Sequence, residues 1–455
     1  MYQKVVSDIL YPLLALRRGS RELAILKELR KSERLSRDHL RDLRLRRLRE
    51  VLLHADHHVA FFRDRFRAAG FDPATLRDFD DLAVIPPLTK ADIQANRERL
   101  ISNQFQRSDL IENRTGGSTG APIVFYHERE RWEQRQAATL RHNLWAGYRR
   151  GDKTALIWGH QTDLSALNSV KARLRNTLID RQLILDSSDL SDVRLREFVG
   201  RYLRFRPSVI LAYANSLALV VNFLKASQIE LPPPRTIITS AEVLTSENRE
   251  LIEGHFGVKV FDRYGSRETS VIASECSAHN GLHIGADYLH LEFVAGGKTV
   301  APGESGEILV TVLGNLAFPF IRYQIGDVGA AAPEEECPCG VTLPKMKMVA
   351  GRTTDFLLAP DGRRVSGAAL TIYLAAQVPG IRQAQIVQCV RDRLEFNLVT
   401  GPDFTEESRQ LVREKVRHFF GADMSIEFHQ VPEIPREASG KYRFSICEIK
   451  PEPKA

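Results

Sequence analysis

An α/β body with a β-rich subdomain, preceded by helices and followed by a small α+β unit, is the fold class this sequence predicts, and three observations predict it. Leucines recur at helical spacing through the first hundred residues, with Leu40, Leu43, Leu45, Leu48, Val51 and Leu52 marking one stripe. From Asn113 the texture changes to short apolar runs, 154–158, 208–212, 236–239 and 259–261, with helical patterns between them, as βαβ units require. Past Gly285 the runs lengthen and glycine or proline turns dominate, including Gly296-Gly297 between two strand-like segments, which is hairpin rather than crossover texture.

The helical preamble is expected over 1–105, where Pro86-Pro87 halts the pattern and 88–92 offers a new helix start. The core is expected over 106–350. A last domain follows over 351–455, with strands at 356–358 and 394–399 and helices at 368–377 and 405–419. No repeat or low-complexity linker separates these parts, so the joint near Gly351 is tight.

Composition excludes several classes. With 455 residues, 43% hydrophobic and 27% charged, the chain can bury cores and is not disordered. Five cysteines and no basic-then-apolar leader point to a reducing cytoplasm rather than a disulfide scaffold. The longest apolar stretch, 208–224, is interrupted by Tyr213, Asn215, Ser216 and Asn222, so no transmembrane segment is expected. The net charge of +7 leaves room for an anionic partner. Its excess lies before Glu50, from Arg17 to Arg49, where leucines interleave with arginines and no aromatics alternate as a nucleic-acid stacking platform would need. These arginines read as a solvated helix face, with an anionic membrane surface or a partner as alternatives, and nucleic acid is not expected.

The densest chemical signal is 114–122, which carries Thr115, Gly116, Gly117, Ser118, Thr119 and Gly120. Three glycines let backbone approach a ligand, and hydroxyls and amides can surround phosphate oxygens. Gly120 is followed by Ala121-Pro122, which rules out a P-loop.

This loop resembles the phosphate-binding signature of the adenylate-forming acyl and aryl ligases, and that family's other signatures follow in its order. Ser240-Ala241-Glu242 is similar to the segment against the adenine, and Tyr264-Gly265-Ser266-Arg267-Glu268 to the one whose tyrosine covers the base and whose glutamate binds magnesium. Phe320-Ile321-Arg322-Tyr323-Gln324-Ile325-Gly326-Asp327 resembles the element whose aspartate takes the ribose hydroxyls. Gly351-Arg352-Thr353-Thr354-Asp355 resembles the inter-domain hinge, and Pro435-Arg436-Glu437-Ala438-Ser439-Gly440-Lys441 the loop of the catalytic lysine. With 60–65 and 85–90, the resemblance narrows to the phenylacetate–CoA ligase-like branch, which includes members associated with capsular polysaccharide synthesis, and it covers nearly the whole chain.

The resemblance implies activation of a carboxylic acid by ATP to an acyl-adenylate, release of pyrophosphate, and transfer to a thiol, with coenzyme A the leading acceptor. Glu268 would hold Mg2+, Asp327 the ribose, Lys441 the α-phosphate once a mobile C-terminal domain closes, and Arg352 and Thr354 would mark the hinge. Glu268 reads as the opening of a helix, where a carboxylate can simply partner the helix dipole. Three positions depart from the pattern: Ala121 replaces a common lysine, Arg267 a hydroxyl residue, and Thr354 the usual hinge aspartate. Trp158, His160 and Tyr213 follow strands and could line an aryl pocket. The alternatives are transfer to an acyl carrier protein or to a sugar amine or hydroxyl, and a non-catalytic assembly protein that keeps the fold. The reading leaves room for a homodimer.

Separately, Cys337-Pro338-Cys339-Gly340 can present two thiolates to one ion, and Cys276 with His283 would complete a structural zinc tetrahedron. His283 is preferred over His279. Some members of the ligase branch carry cysteines at matching places. The competing reading is three ordinary cysteines. Cys389 and Cys447 read as core residues.

Overall fold

The computed structural model describes residues 2–115, 123–158, 169–187, 190, 192–352, 356–361, 364–366, 374, 378–435 and 445–449. Two compact units emerge. Met1–Ile325 with Gly329–Lys347 forms the larger, and Gly326–Val328 with Met348–Ala455 the smaller.

In the larger unit the chain opens with α1 (Tyr2–Val5), a π-helical turn over Val6–Leu10 and α2 (Tyr11–Arg17), followed by α3 (Glu22–Ser32), α4 (Arg37–His58), α5 (Ala60–Ala68) and α6 (Lys90–Ala95). Helix α4 starts where the Ser36 hydroxyl accepts from the His39 amide, and it buries Leu40, Leu48, Val51, Leu52 and Ala55. The expected start near residue 89 is a capping box: Thr89 Oγ1 accepts from the Asp92 amide at 3.1 Å, and Asp92 Oδ2 from the Thr89 amide at 2.9 Å.

Arg44 and Arg47 of α4 are half-buried, and Arg41 and Arg49, though exposed, are also tied to neighbouring residues. Arg44 lies over the Phe79 ring, 4.4 Å from its centroid, and reaches His290 Nδ1 at 3.1 Å. Arg47 donates to the Asp287 carbonyl, Arg49 to the Leu76 carbonyl at 2.6 Å, and Arg41 pairs with Asp78 at 2.7 Å. A guanidinium on a long stem can bury its methylenes and still satisfy distant carbonyls, so part of the basic surplus fastens this helix to the body.

Next come the antiparallel pair β1 (Ile111–Arg114) and β2 (Val124–His127), then α7 (Arg129–Trp145). The parallel strands follow: β3 (Thr154–Trp158), β4 (Gln182–Asp186), β5 (Val209–Tyr213), β6 (Thr236–Ser240) and β7 (Val260–Ser266). Between them run α8 (Val170–Arg175), α9 (Asp192–Phe205), α10 (Ala214–Ala226) and α11 (Ser246–Phe256). The antiparallel half adds β8 (Ser270–Ser274), β9 (Leu282–Ile284), β10 (Leu289–Ala295), β11 (Lys298–Thr299), β12 (Gly306–Val312), β13 (Tyr323–Ala331) and β14 (Lys345–Arg352). Together they make one twelve-stranded sheet of order β11-β10-β12-β13-β14-β9-β8-β7-β6-β5-β3-β4. Its parallel side buries Ile157, Ile210, Ile237 and Val260 against Phe198, Leu217, Val221 and Ile252 of the helices. Burial on both faces explains why these strands read as continuous apolar runs.

The smaller unit contains the pair β15 (Phe356–Leu358) and β16 (Arg364–Ser366), then β17 (Ile381–Val390), β18 (Arg393–Thr400), α12 (Glu406–Phe420), β19 (Ser425–Gln430) and β20 (Ser445–Cys447). Its four-stranded sheet has the order β19-β18-β17-β20, antiparallel only between β17 and β18. Val412, Val416 and Phe420 of α12 seal it with Phe396 and Leu398. Cys389 is exposed, contrary to its reading as a core residue, whereas Cys447 is half-buried and packs against this core. Both lie on strand segments whose burial fades toward the sheet end. The helix expected over 368–377 lies, except for Leu374, outside the described residues. No helix among the described residues is long and apolar enough to cross a membrane.

Candidate active site

Strands β3, β5, β6 and β7 are parallel, so their carboxyl ends share one edge, where open α/β sheets bind ligands. Trp158, Tyr213, Ser240 and Tyr264–Ser266, singled out from the sequence, lie at those strand ends. Trp158 ends β3 and Tyr213 ends β5, their rings tilted with centroids 4.3 Å apart. Ser240 ends β6, and Ala241 follows at φ 70°, a strained left-handed conformation for a residue with a Cβ. Glu242 then accepts the Asn215 amide of α10 at 2.9 Å. This bond holds the segment 240–242 against the start of that helix.

Tyr264, Gly265 and Ser266 close β7, and Arg267 and Glu268 form the turn into β8. Glu268 therefore belongs to a hairpin and does not open a helix. Two features override the local helical pattern. A Cβ on Gly265 would stand 2.5 Å from the Ser270 carbonyl oxygen, so only glycine lets the two strands close here. From beneath, α7 clamps the turn: Arg131 donates to the Thr269 carbonyl at 2.8 Å and Arg135 to the Glu268 carbonyl at 3.1 Å. Burial lowers both guanidiniums, Arg131 to about 10 and Arg135 to about 9. Both remain charged at neutral pH.

The Glu268 side chain is buried and accepts the Tyr323 hydroxyl at 2.8 Å on Oε1. The sequence marks Tyr323 only as part of a longer motif. Its role as partner of Glu268, and the clamping arginines four apart on α7, carry no sequence signal of their own. Among the described residues Glu268 Oε2 accepts no hydrogen bond, and a carboxylate oxygen at such an edge suits a hard divalent cation.

Thr115 brackets the glycine loop. Its amide donates to the Ile123 carbonyl at 3.1 Å and its Oγ1 accepts the Ile123 amide at 3.0 Å. Gly116, Gly117, Ser118, Thr119 and Gly120 lie outside the described residues, as do His160, Thr354 and Lys441. Asp327 is half-buried within β13, and Arg352 ends β14.

The four expected metal ligands come together. The ligand atoms of Cys276, His283, Cys337 and Cys339 all lie within 4.8 Å of one another. Cys276 Sγ is 3.6 Å from Cys337 Sγ, Cys339 Sγ is 3.3 Å from Cys337 Sγ and 3.5 Å from His283 Nε2. Tetrahedral zinc with Zn–S near 2.3 Å and Zn–N near 2.0 Å sets its ligand atoms about 3.5–3.8 Å apart, so the set fits that ion. His283 Nδ1 faces the Leu343 carbonyl at 2.8 Å, which places the proton there and leaves Nε2 to face the sulfurs. Burial pushes the Cys276 thiol up to about 12, so crowding these sulfurs as thiolates needs a cation. His279, the alternative ligand, instead meets Glu275 at 3.1 Å.

The fold is one that adenylate-forming ligases of known structure share. Residues 357–448 match the family model for the CapK C-terminal domain. The chain is a homologue of protein CapK from Staphylococcus aureus, at 26% identity over 371 residues covering 80% of each chain, and of phenylacetate–coenzyme A ligases. The Thermus thermophilus ligase is 26% identical over 450 residues, covering 90% of this chain and 97% of the relative. Among solved structures, 2-hydroxyisobutyryl-CoA ligase in complex with an acyl-AMP superposes with a TM-score of 0.75 at 19% identity, covering 92% of this chain and 91% of that one.

Proposed function

We propose that this protein activates a carboxylic acid with ATP to an acyl-adenylate, releasing pyrophosphate, and passes the acyl group to coenzyme A. The observation that carries this reading is the ordered series of signature segments on a fold of the ligase class. Among them, Glu268 is held by Tyr323 at the carboxyl edge of the parallel strands. Relatives over most of the chain are named phenylacetate–coenzyme A ligases.

Bringing a carboxylate to a triphosphate sets anion against anion, so catalysis depends on compensating the charge that builds in the transition state. Glu268 would hold Mg2+, which when bound shields phosphate oxygens. Lys441 would bring an ammonium to the α-phosphate, and Asp327 would accept the ribose hydroxyls and fix the nucleotide register. Ser240, Ala241, Glu242 and Tyr264 would flank the base. The loop 115–120 would hold the departing pyrophosphate, and Arg267 could reach the same anion bidentately. The tilted Trp158–Tyr213 pair supports an apolar acyl pocket. Cys276, His283, Cys337 and Cys339 would hold one structural Zn2+, and the domain boundary near Gly351, with Arg352 and Thr354, would be the hinge. The cytoplasm is the proposed compartment.

The test is pyrophosphate exchange over a panel of aliphatic and aryl acids, with and without coenzyme A. Exchange with a subset of acids, and thioester formation only when coenzyme A is present, is the expected result. Exchange without thioester redirects the acceptor to a carrier protein or a sugar. No exchange with any acid overturns the ligase reading.

A further inference from the structure

The stretch from Tyr2 to Arg17 has two apolar faces where a surface helix needs one. The inner face is used: Val6 and Tyr11 are buried with Leu140 and Ile179. The outer face is not. Ile9, Leu13 and Leu16 follow at positions i, i+4 and i+7 and are 53%, 58% and 76% exposed. The Tyr2 hydroxyl donates to the Leu178 carbonyl at 2.8 Å, tying this helix to a second segment that also leaves leucines in solvent, Leu174 and Leu178. Bare apolar side chains grouped in this way mark an interaction surface rather than scattered exposure.

Charge selects what covers it. Lys4, Arg17 and Arg18 are exposed on the same stretch, and none meets an acidic side chain among the described residues. The single carboxylate of the stretch, Asp8, already accepts the Ser7 hydroxyl at 2.5 Å. Arg173 is exposed beside Leu174. A second copy of the chain would bring the same cations against these, which like-charge repulsion opposes. An apolar stripe rimmed by cations instead matches an anionic lipid surface, where leucines enter the acyl boundary and ammonium and guanidinium groups meet the headgroups.

We propose that this face docks the protein, reversibly and without spanning, on anionic membranes. The inference is independent of the ligase reading.

The experiment is co-sedimentation of the full chain with extruded vesicles of phosphatidylcholine alone or with about 30 mol % phosphatidylglycerol. Binding to the anionic vesicles alone is expected, weakening roughly tenfold or more as salt rises from about 50 to 300 mM. Leu13→Glu/Leu16→Glu should lose at least about tenfold in binding with an unchanged melting curve, since both side chains are already in water. Arg17→Glu/Arg18→Glu should abolish the preference for anionic lipid. Equal binding to neutral vesicles, or binding to neither, overturns the proposal. So does a dimer by light scattering that Leu13→Glu/Leu16→Glu converts to monomer while vesicle binding is absent.

Discussion

Replacing Asp287 with alanine is expected to destabilise the larger unit selectively, and its size can be worked from the contacts. Asp287 and Arg141 are fully buried, 0% and 1% exposed at their side chains. Arg141 of α7 donates to both carboxylate oxygens, at 2.6 and 3.0 Å, and to the Leu29 carbonyl at 3.1 Å. The Ser32 hydroxyl at the end of α3 donates to the same carboxylate. Burial alone would push Arg141 down, yet the facing carboxylate reverses this and its pKa is raised, so the guanidinium stays charged. Asp287→Ala leaves that charge in the core, at a cost of about 3–5 kcal/mol. An unfolding entropy of roughly 2.1 cal/mol/K per residue over about 340 residues gives about 0.7 kcal/mol per degree. The expected drop in Tm is therefore about 4–7 °C. Differential scanning calorimetry should show it in one transition. The double variant Arg141→Met/Asp287→Leu should recover most of it, because an apolar pair of similar volume leaves no stranded charge. A single variant that melts within about 1 °C of the parent, or a double variant as damaged as the single, would refute the reasoning.

Glu268→Gln should reduce pyrophosphate exchange by about a hundredfold or more and raise the magnesium needed for half-maximal rate, whereas its Tm should move little because glutamine still accepts from Tyr323. Lys441→Ala should abolish adenylation in the same assay while leaving ATP retention nearly intact. Elemental analysis should find about one zinc per chain, and Cys339→Ser should lower that content sharply. For pH, burial first and then the charge of Glu275 push the Asp262 carboxyl up from its ordinary 3.8 to about 7. A carboxyl raised in the folded state contributes stability that is present below about 3.8 and is lost as pH rises through about 7. Asp262→Asn should therefore flatten the part of the Tm decline that the parent shows between about pH 4 and 7, and an unchanged slope would discard this assignment.

Much of the fold could be read from the chain because buried parallel strands announce themselves as apolar runs. Segments 154–158, 208–212, 236–239 and 259–261 fall on β3, β5, β6 and β7. Edge strand β4, 182–186, lacks that signal, since its residues alternate between buried and half-buried. Strand β17 went unread for a related reason: Arg382, Gln383, Gln385 and Gln388 interrupt its apolar positions, and it shows itself only through pairing with β18 and β20. At the candidate site, residue types and their order were legible, but the conformation carrying Glu268 was not. A polar turn and a helix start look alike in sequence, and what decides between them is Gly265 against a distant carbonyl and two arginines from α7. The cysteine set was legible by spacing, whereas the Leu343 carbonyl that orients His283 is a backbone atom that no sequence pattern marks.

The cysteine and histidine cluster also bears on how the chain explores its unfolded states. Cys276 and Cys337 are 61 positions apart, and the segment between them contains β9 to β13, most of the antiparallel half of the sheet, including Asp327. A metal held at both ends would close that segment into a loop. Tethering a loop of about 60 residues restricts the denatured ensemble by about 4 kcal/mol, on the same footing as a covalent cross-link. Chelation should therefore loosen the antiparallel strands ahead of the parallel ones, and hydrogen exchange would register the difference between the two halves of a single sheet.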